Sequence, residues 1–526
     1  MVWTYRRQRR QLTRIAFIAG VASIAAGCLP QGKSEKATAQ SSPVAYAGTD
    51  GAAVNRSGKR DPFQDAAAAA ERLLPGPALA GGEKSARDPA ASAKPAREAP
   101  LITATTTQTA HDDLPTEAEK IADTPADAAL GRFFKALAAL PKDGTGRTVT
   151  ILHLGDSHIA ADRFSGDLRE EFQKRFGNAG RGMLMPGLYL ARGVKFEQGG
   201  QWQAALSTEG AAGPFGLTGA KLSADDRDAW LRITATGEPF SWCEITLENG
   251  RGAGGALIGV DGDLKPSPPA SGPQAWRTVR IDKPAREILI KPRGDGRVTL
   301  HAVSIGTAKP GVRYVNFGLP GATAATPLSW DGAQLSADMK RLAPDLIVLA
   351  YGTEEAFNDS LDLADYEAKV SATLARLRQS APQASFLVMG PPDVARLPDF
   401  AASAGRSGDV CRALNPKERQ IYARLMKKRD PHMAHWHPPL RLDGVRTALR
   451  RVAAANRAYF WDWSKLMGGS CGIHAWVHSD PPLAANNHVY LTEEGSRRSA
   501  KTLFRELMTG YDAFERSVTT AGARAK

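Results

Sequence analysis

Gly155, Asp156, Ser157 and His158 set a serine between an acid and a base, directly after an apolar β-branched run (148–154) and just ahead of a charged amphipathic stretch (162–176). A serine hydroxyl attacks an acyl carbon only when a neighbouring base takes its proton, so this segment is the first candidate for nucleophilic chemistry. His432, His435 and His437 form H-x-x-H-x-H, a spacing that metal ligands can use. Beside Pro438-Pro439 and Lys427-Lys428-Arg429 it reads instead as solvated surface, and neither a metal nor a cofactor is expected. His153, inside the apolar run, reads as a hydrogen-bonded core residue, and Asn358-Asp359 as a helix cap or turn.

The elements that must position Ser157 follow from hydrophobic periodicity. Residues 128–140 have a helical pattern and lead into the 148–154 run, which reads as a buried strand. From 190 to 307 the texture changes to short strand-like pieces, such as 230–234, 243–247 and 287–291, separated by Gly, Pro and Asp turns. That pattern predicts an antiparallel β-sandwich. Strand candidates then return at 313–317, 345–350, 385–389 and 459–463, alternating with helices at 334–342, 363–379, 442–456 and 492–508. Such alternation predicts a parallel sheet covered on both faces, so the fold class is α/β, interrupted by an inserted β-sandwich. Trp202, Trp230, Trp242 and Trp276 fall within the insert, either as sandwich core or as a sugar-stacking surface.

The chain has 526 residues and a formal charge of +13, of which five arginines lie in the first 27 residues with no acid, leaving +8 beyond them. A moderately basic surface suits anionic envelope polymers or lipid headgroups. No aromatic-interleaved basic stripe argues for nucleic acid, so none is expected as a partner. The apolar run 15–27 follows Arg6–Arg14 and is too short to span a bilayer, so residues 1–27 read as an export signal. The segment ends in Ala25-Ala26-Gly27-Cys28, which resembles a bacterial lipobox with Ala25 in place of the usual large aliphatic residue. Lipidation of Cys28 would give a periplasmic or outer-membrane-anchored lipoprotein. Residues 28–125 are rich in Ala, Pro, Ser, Gly and Lys with almost no aromatics, and read as a disordered tether. The expected organisation is therefore a signal (1–27), a tether (28–125) and an α/β domain built from residues 126–189 and 308–526, with the insert (190–307) between those two segments. An oxidising compartment favours a disulfide among Cys243, Cys411 and Cys471. Cys411–Cys471 is preferred because both flank one late segment, although sequence alone does not fix the pairing.

Longer stretches carry a resemblance. "LGDSHIAADRFSGDLREEFQKRFGNAGRGML", "YVNFGLPGATA", "DLIVLAYGTEEA", "FLVMGPPD", "FWDWSKLMGG" and "NNHVYLTEEG" are similar to the sequence blocks of SGNH (GDSL-like) hydrolases, in particular peptidoglycan and polysaccharide O-acetylesterases and their O-acetyltransferase relatives. The resemblance implies a flavodoxin-like three-layer sheet, Ser157 as nucleophile exposed at the carboxyl end of the sheet, and Gly321 with Ser157 in the oxyanion hole. It also implies an acetylated glycan or exopolysaccharide as substrate or partner, and a membrane-bound acetyltransferase as a candidate partner.

The departures alter the chemistry. Where the family's third block has an asparagine whose amide donates to the oxyanion, this chain has Glu354; where its last block has Asp-x-x-His, this chain has Asn487 and Tyr490. An ionised glutamate repels a developing oxyanion, and loss of one such donor typically costs about 10²–10³ in rate. Tyrosine, with a pKa of about 10, is a poor base for a serine hydroxyl, and asparagine stabilises an imidazolium less than aspartate does. One arrangement restores a base: a bulged loop could bring His488 to Ser157 with Asp480 behind it. Three readings thus stand: a glycan-recognising protein with a degenerate catalytic set, an active serine O-acetylesterase or O-acetyltransferase using Ser157 and His488, and a non-catalytic tethered scaffold.

Overall fold

The computed structural model describes residues 121–140, 146–187, 191–250, 252–269, 276–401, 408 and 410–524. The expected export signal, Cys28 and the tether up to residue 120 lie outside the described residues. No described helix is long and apolar enough to cross a membrane.

The β-branched run forms strand β1 (Thr148–Gly155), in which seven of eight residues are buried. Burial on both faces is what a strand inside a parallel, helix-covered sheet requires. The chain then leaves this sheet for the strands β2 (Gly182–Leu184), β3 (Val194–Gly199), β4 (Gln203–Leu206), β5 (Ala220–Ala224), β6 (Trp230–Ala235) and β7 (Trp242–Glu248). It continues through β8 (Ala256–Val260), β9 (Asp263–Pro266), β10 (Trp276–Ile281), β11 (Glu287–Pro292) and β12 (Val298–Gly306). The chain returns in β13 (Gly311–Gly318), β14 (Leu346–Ala350), β15 (Ser385–Gly390) and β16 (Tyr459–Asp462).

β1 and β13–β16 form one parallel sheet in the order β13-β1-β14-β15-β16. Helices Ala126–Ala138, Phe164–Phe176 and Glu493–Arg524 bury aromatics such as Phe133, Phe134 and Phe172 on one face. Helices Gly332–Leu342, Leu363–Ser380 and Leu442–Ala455 cover the other through Leu335, Leu374 and Leu449. The remaining strands make two antiparallel sheets, β10-β7-β12-β5-β4 with β2 added on β12, and β3-β6-β11-β8-β9. Alternation sets their shared core: along β6 and β11 every second residue is buried, including Leu231, Ile233, Ile288 and Ile290. The antiparallel strands begin at Gly182, earlier than the expected 190, because β2 pairs with the wholly buried β12.

The first block is anchored through a residue that looks like an ordinary charged helix start. Asp162 is fully buried, with φ 50°, outside the helix that begins at Phe164. Its Oδ1 accepts from Ser165 Oγ (2.8 Å) and Arg169 (3.0 Å), and its Oδ2 from Arg181 (3.1 Å) and the Arg192 backbone N–H (2.8 Å). Arg181 also donates to the Tyr314 carbonyl on β13. One carboxylate therefore ties the segment after Ser157 to the start of the insert and to β13. Burial opposes its charge, but the two arginines outweigh that and hold its pKa down at about 2.

Candidate active site

Strand register brings the candidate residues to one edge. Gly155 at the end of β1 pairs with Gly318 of β13 on one side and with Ala350 of β14 on the other. Ser157, Gly321 and Glu354 follow these level ends by two, three and four residues, at the carboxyl edge where strand order reverses, the usual ligand position in open α/β sheets. The approach is close: a Cβ on Gly318 would come within 2.1 Å of the Ala160 backbone nitrogen. Ser157 starts the short helix Ser157–Ala160, with Asp156 as its cap accepting the His158 N–H. Gly321 is exposed and has φ 73°; added atoms would meet nothing there, so the backbone angle is what calls for glycine.

His158 is held at both ring nitrogens. Its Nδ1 faces Asp156 Oδ1 at 3.3 Å and its Nε2 faces the Val489 carbonyl at 3.0 Å. The Thr353 hydroxyl also lies 3.4 Å from Nδ1. Burial works against the charge, yet the Asp156 hydrogen bond and charge, with Val489 and Glu354 behind them, raise the pKa above the ordinary histidine value. With both ring nitrogens engaged by other groups, His158 is not placed to take a proton from Ser157. No hydrogen bond to Ser157 Oγ is found among the described residues.

Glu354 lies on the short helix Thr353–Ala356 beyond β14 and is half-buried. The backbone N–H of Gly321, the donor expected to serve an oxyanion, is among the groups that act on its charge. Burial and the nearby Asp156 carboxylate raise its pKa, while His158 and the Gly321 N–H pull it back. Behind it Glu355 is buried; its Oε1 accepts the Ala324 N–H at 2.7 Å and its Oε2 has no partner. Burial drives the Glu355 pKa up to about 7, against the Ala324 hydrogen bond. Sequence reasoning did not single out Glu355; the acid pair Glu354-Glu355 directly after a strand end was the available signal.

The last block does not rebuild a triad. The Asn487 side chain accepts the backbone N–H groups of Val489 (3.0 Å) and Tyr490 (3.1 Å), so it shapes a turn instead of orienting a base. The Tyr490 ring lies 5.4 Å from that of His158. His488 is buried with φ 56°, its ring stacked 3.6 Å from Trp436. Its Nδ1 donates to the Asn486 carbonyl at 2.9 Å, which makes Nε2 the acceptor for His474 Nδ1 at 2.8 Å. In this arrangement the one lone pair of His488 is spent on His474. Burial, with His474 and His478 adding repulsion, lowers its pKa to about 4 against the Asn486 hydrogen bond. Asp480 is exposed and is not among the hydrogen-bond partners of His488.

Other expectations resolve individually. Cys411 and Cys471 form a disulfide with Cα atoms 5.7 Å apart, and Cys243 is a buried free thiol. His153 is buried and bonds Tyr314 Oη at 2.8 Å. Asn358 caps a turn at Ser360, and Asp359 pairs with Arg396. The surface reading of the histidine triplet holds for His432, paired with Asp430, but His435 and His437 are buried because the loop folds back onto Tyr422. No group of three candidate ligands is arranged for a metal among the described residues. The four insert tryptophans are half-buried rather than core: Arg232 lies over Trp230, and Arg280 and Arg313 over Trp242.

Residues 290–429 match the family model of the GDSL-like lipase/acylhydrolases. With a parallel sheet carrying Ser157 at its carboxyl edge, the chain has the fold of the SGNH, GDSL-like hydrolases. Among solved structures it resembles a peptidoglycan O-acetylesterase, with 24% identity over 75% of this chain and 99% of that one, at a TM-score of 0.59. A family two carbohydrate esterase from Cellvibrio japonicus is also matched, at 13% identity, 60% and 99% coverage and a TM-score of 0.22. No curated protein sequence matches the chain.

Proposed function

We propose that this chain is an exported envelope protein that binds glycan of the O-acetylated class, cell-wall or exopolysaccharide, on an SGNH scaffold whose centre does not hydrolyse esters efficiently. The reading rests chiefly on one residue: the half-buried acid Glu354, on the short helix beyond β14 at the carboxyl edge of the sheet, stands where the resembling family has an amide that donates to the oxyanion. The lack of a free base agrees with it, since both ring nitrogens of His158 are engaged and His488 is bonded to His474. The glycan assignment is supported by the likeness in fold to a peptidoglycan O-acetylesterase. Export and anchoring are supported by the N-terminal segment ending at Cys28.

The test pairs two measurements on the purified protein. It should turn over p-nitrophenyl acetate no faster than its Ser157→Ala variant, and it should be retained on O-acetylated peptidoglycan or exopolysaccharide. Ester turnover that disappears in Ser157→Ala would refute the hydrolytic half of the proposal, and failure to bind any such glycan would refute the recognition half. In cells, Cys28→Ala should move the protein from the membrane fraction to the soluble periplasm.

A further inference from the structure

Away from the carboxyl edge, the buried charges around Asp162 do not balance. Arg169 and Arg181 share its one carboxylate, at 3.0 and 3.1 Å, and all three side chains are buried. Arg192, the next cation, is taken by Asp167 at 2.5 Å, with the exposed Glu170 3.6 Å away. Tyr314 adds no negative charge, because burial raises its pKa and keeps the hydroxyl protonated. Burial and the like charge of Arg169 lower the Arg181 pKa to about 10, against the pull of Asp162. A buried guanidinium without its own counter-charge is costly until something neutralises it.

A cleft of about 110 Å³ opens beside these arginines, between helix Phe164–Phe176 and the insert. Arg169, Gln173 and Arg181 line one side, and Gly237, Phe240 and Thr307 the other. The two sides meet where Gly180 packs on Gly306, so closely that a Cβ on Gly180 would lie 2.8 Å from the Gly306 Cα. At Gly193 and Gly237, which also line the cleft, an added Cβ would meet nothing. One water needs only on the order of 10–15 Å³, so there is room for a small organic group. A second observation points to a ligand. Arg181 is only 8% exposed and sends Nη1 to the Tyr314 carbonyl and Nη2 to Asp162 and Asn316, yet its buried Nε has no hydrogen-bond partner. The acid on the rim, Glu238, is paired with Lys309 at 2.8 Å and does not balance the arginines. We infer that this cleft binds a carboxylate group, carried by a small free acid or by a uronic unit of a glycan, with Arg169 and Arg181 as its counter-charges. A carboxylate brings the single negative charge that the pair lacks, in the planar form that guanidinium groups recognise. A dianionic phosphate would overcompensate that charge beside Glu238. The cleft lies near the start of β13, where Asn178 bridges to Val312, and not at the edge that carries Ser157. It therefore stands independently of the ester and glycan readings above.

The full chain is dialysed to equilibrium against labelled acetate at constant ionic strength, under mildly alkaline conditions where phosphate is dianionic. A chain of formal charge +13 attracts anions in general, but uptake of that kind does not saturate. Wild type should bind acetate saturably. Gly237→Asp, which sets a carboxylate at the mouth, should weaken that binding about tenfold or more, the scale of one charge-assisted hydrogen bond. Gly237→Asn has the same size without the charge and should stay close to wild type. Gly237 is exposed and an added Cβ there meets nothing, so both variants should fold. Uptake by wild type that does not saturate overturns the inference without any variant, and equal binding by the two variants overturns it as well. Phosphate displacing the label at lower concentration than unlabelled acetate overturns the assignment to a carboxylate. Displacement by a galacturonate tetramer at lower concentration than acetate would support the site with a uronic glycan as the source. Displacement by acetate alone would support it with a small free acid.

Discussion

Replacing Glu355 with glutamine should leave the fold intact and reverse a pH-dependent weakness beneath the site. Glutamine keeps an oxygen to accept the Ala324 N–H, the bond that fastens the loop after Gly321. Burial raises the pKa of Glu355 from 4.5 to about 7 in the folded chain. A raised folded pKa means the protonated form is favoured by folding, so this contribution is fully present below about 4.5 and is lost as the pH climbs through about 7. At about 1.4 kcal/mol per unit, the 2.5-unit difference amounts to about 3 kcal/mol. Glutamine carries no such dependence. Urea unfolding of both proteins near pH 4 and near pH 8 measures it: the variant's stability relative to wild type should improve by about 3 kcal/mol at the higher pH. A difference that does not change with pH would show that Glu355 titrates like an exposed glutamate and would refute the argument.

Three further outcomes are expected. Asp162→Ala strands Arg169 and Arg181 without their buried partner and should cost about 3–5 kcal/mol in urea unfolding; a loss under about 1 kcal/mol contradicts the anchoring role. Cys411→Ser opens a disulfide spanning 60 residues and should lower stability by about 4 kcal/mol on the loop-entropy scale, with an unchanged denaturation midpoint as the contrary result. Tyr490→His alone should raise acetyl ester turnover less than tenfold, because an acid, Glu354, still stands in place of an oxyanion donor; a larger gain would show that the missing base was the only defect.

Local pattern made much of the scaffold legible. β1, β14 and β15 lie within one residue of their expected bounds, because their residues face packed layers on both sides and read as continuous apolar runs. Asp162 was not legible as a core residue: among the alternating charges of 162–176 it looks solvated, and the arginines that bury it, Arg181 and Arg192, arrive from outside that helix. His435 and His437 escaped for a similar reason, since their burial depends on Tyr422 and on a loop closed near Cys411. The final helix runs to Arg524, past the expected 508, where the apolar repeat fades into exposed residues. At the site, alignment identified Glu354, Asn487 and Tyr490 as altered. Only the structure shows that His488 is committed to His474, a contact that the local pattern does not reveal.

A degenerate centre is tested most directly by restoring the family's three residues together, as Glu354→Asn, Asn487→Asp and Tyr490→His. Hydrolysis of p-nitrophenyl acetate is then followed against wild type and against the same triple carrying Ser157→Ala. The middle change keeps the acceptor that shapes the Val489–Tyr490 turn, so the loop need not rearrange. The three substitutions supply an oxyanion donor, an orienting carboxylate and a base, each of which acts only with the others present. Wild-type turnover should stay at background, and the triple variant should gain about 10² or more, abolished by Ser157→Ala. Wild-type hydrolysis at ordinary enzymatic rates, lost in Ser157→Ala and not increased by the triple change, would contradict the degenerate reading.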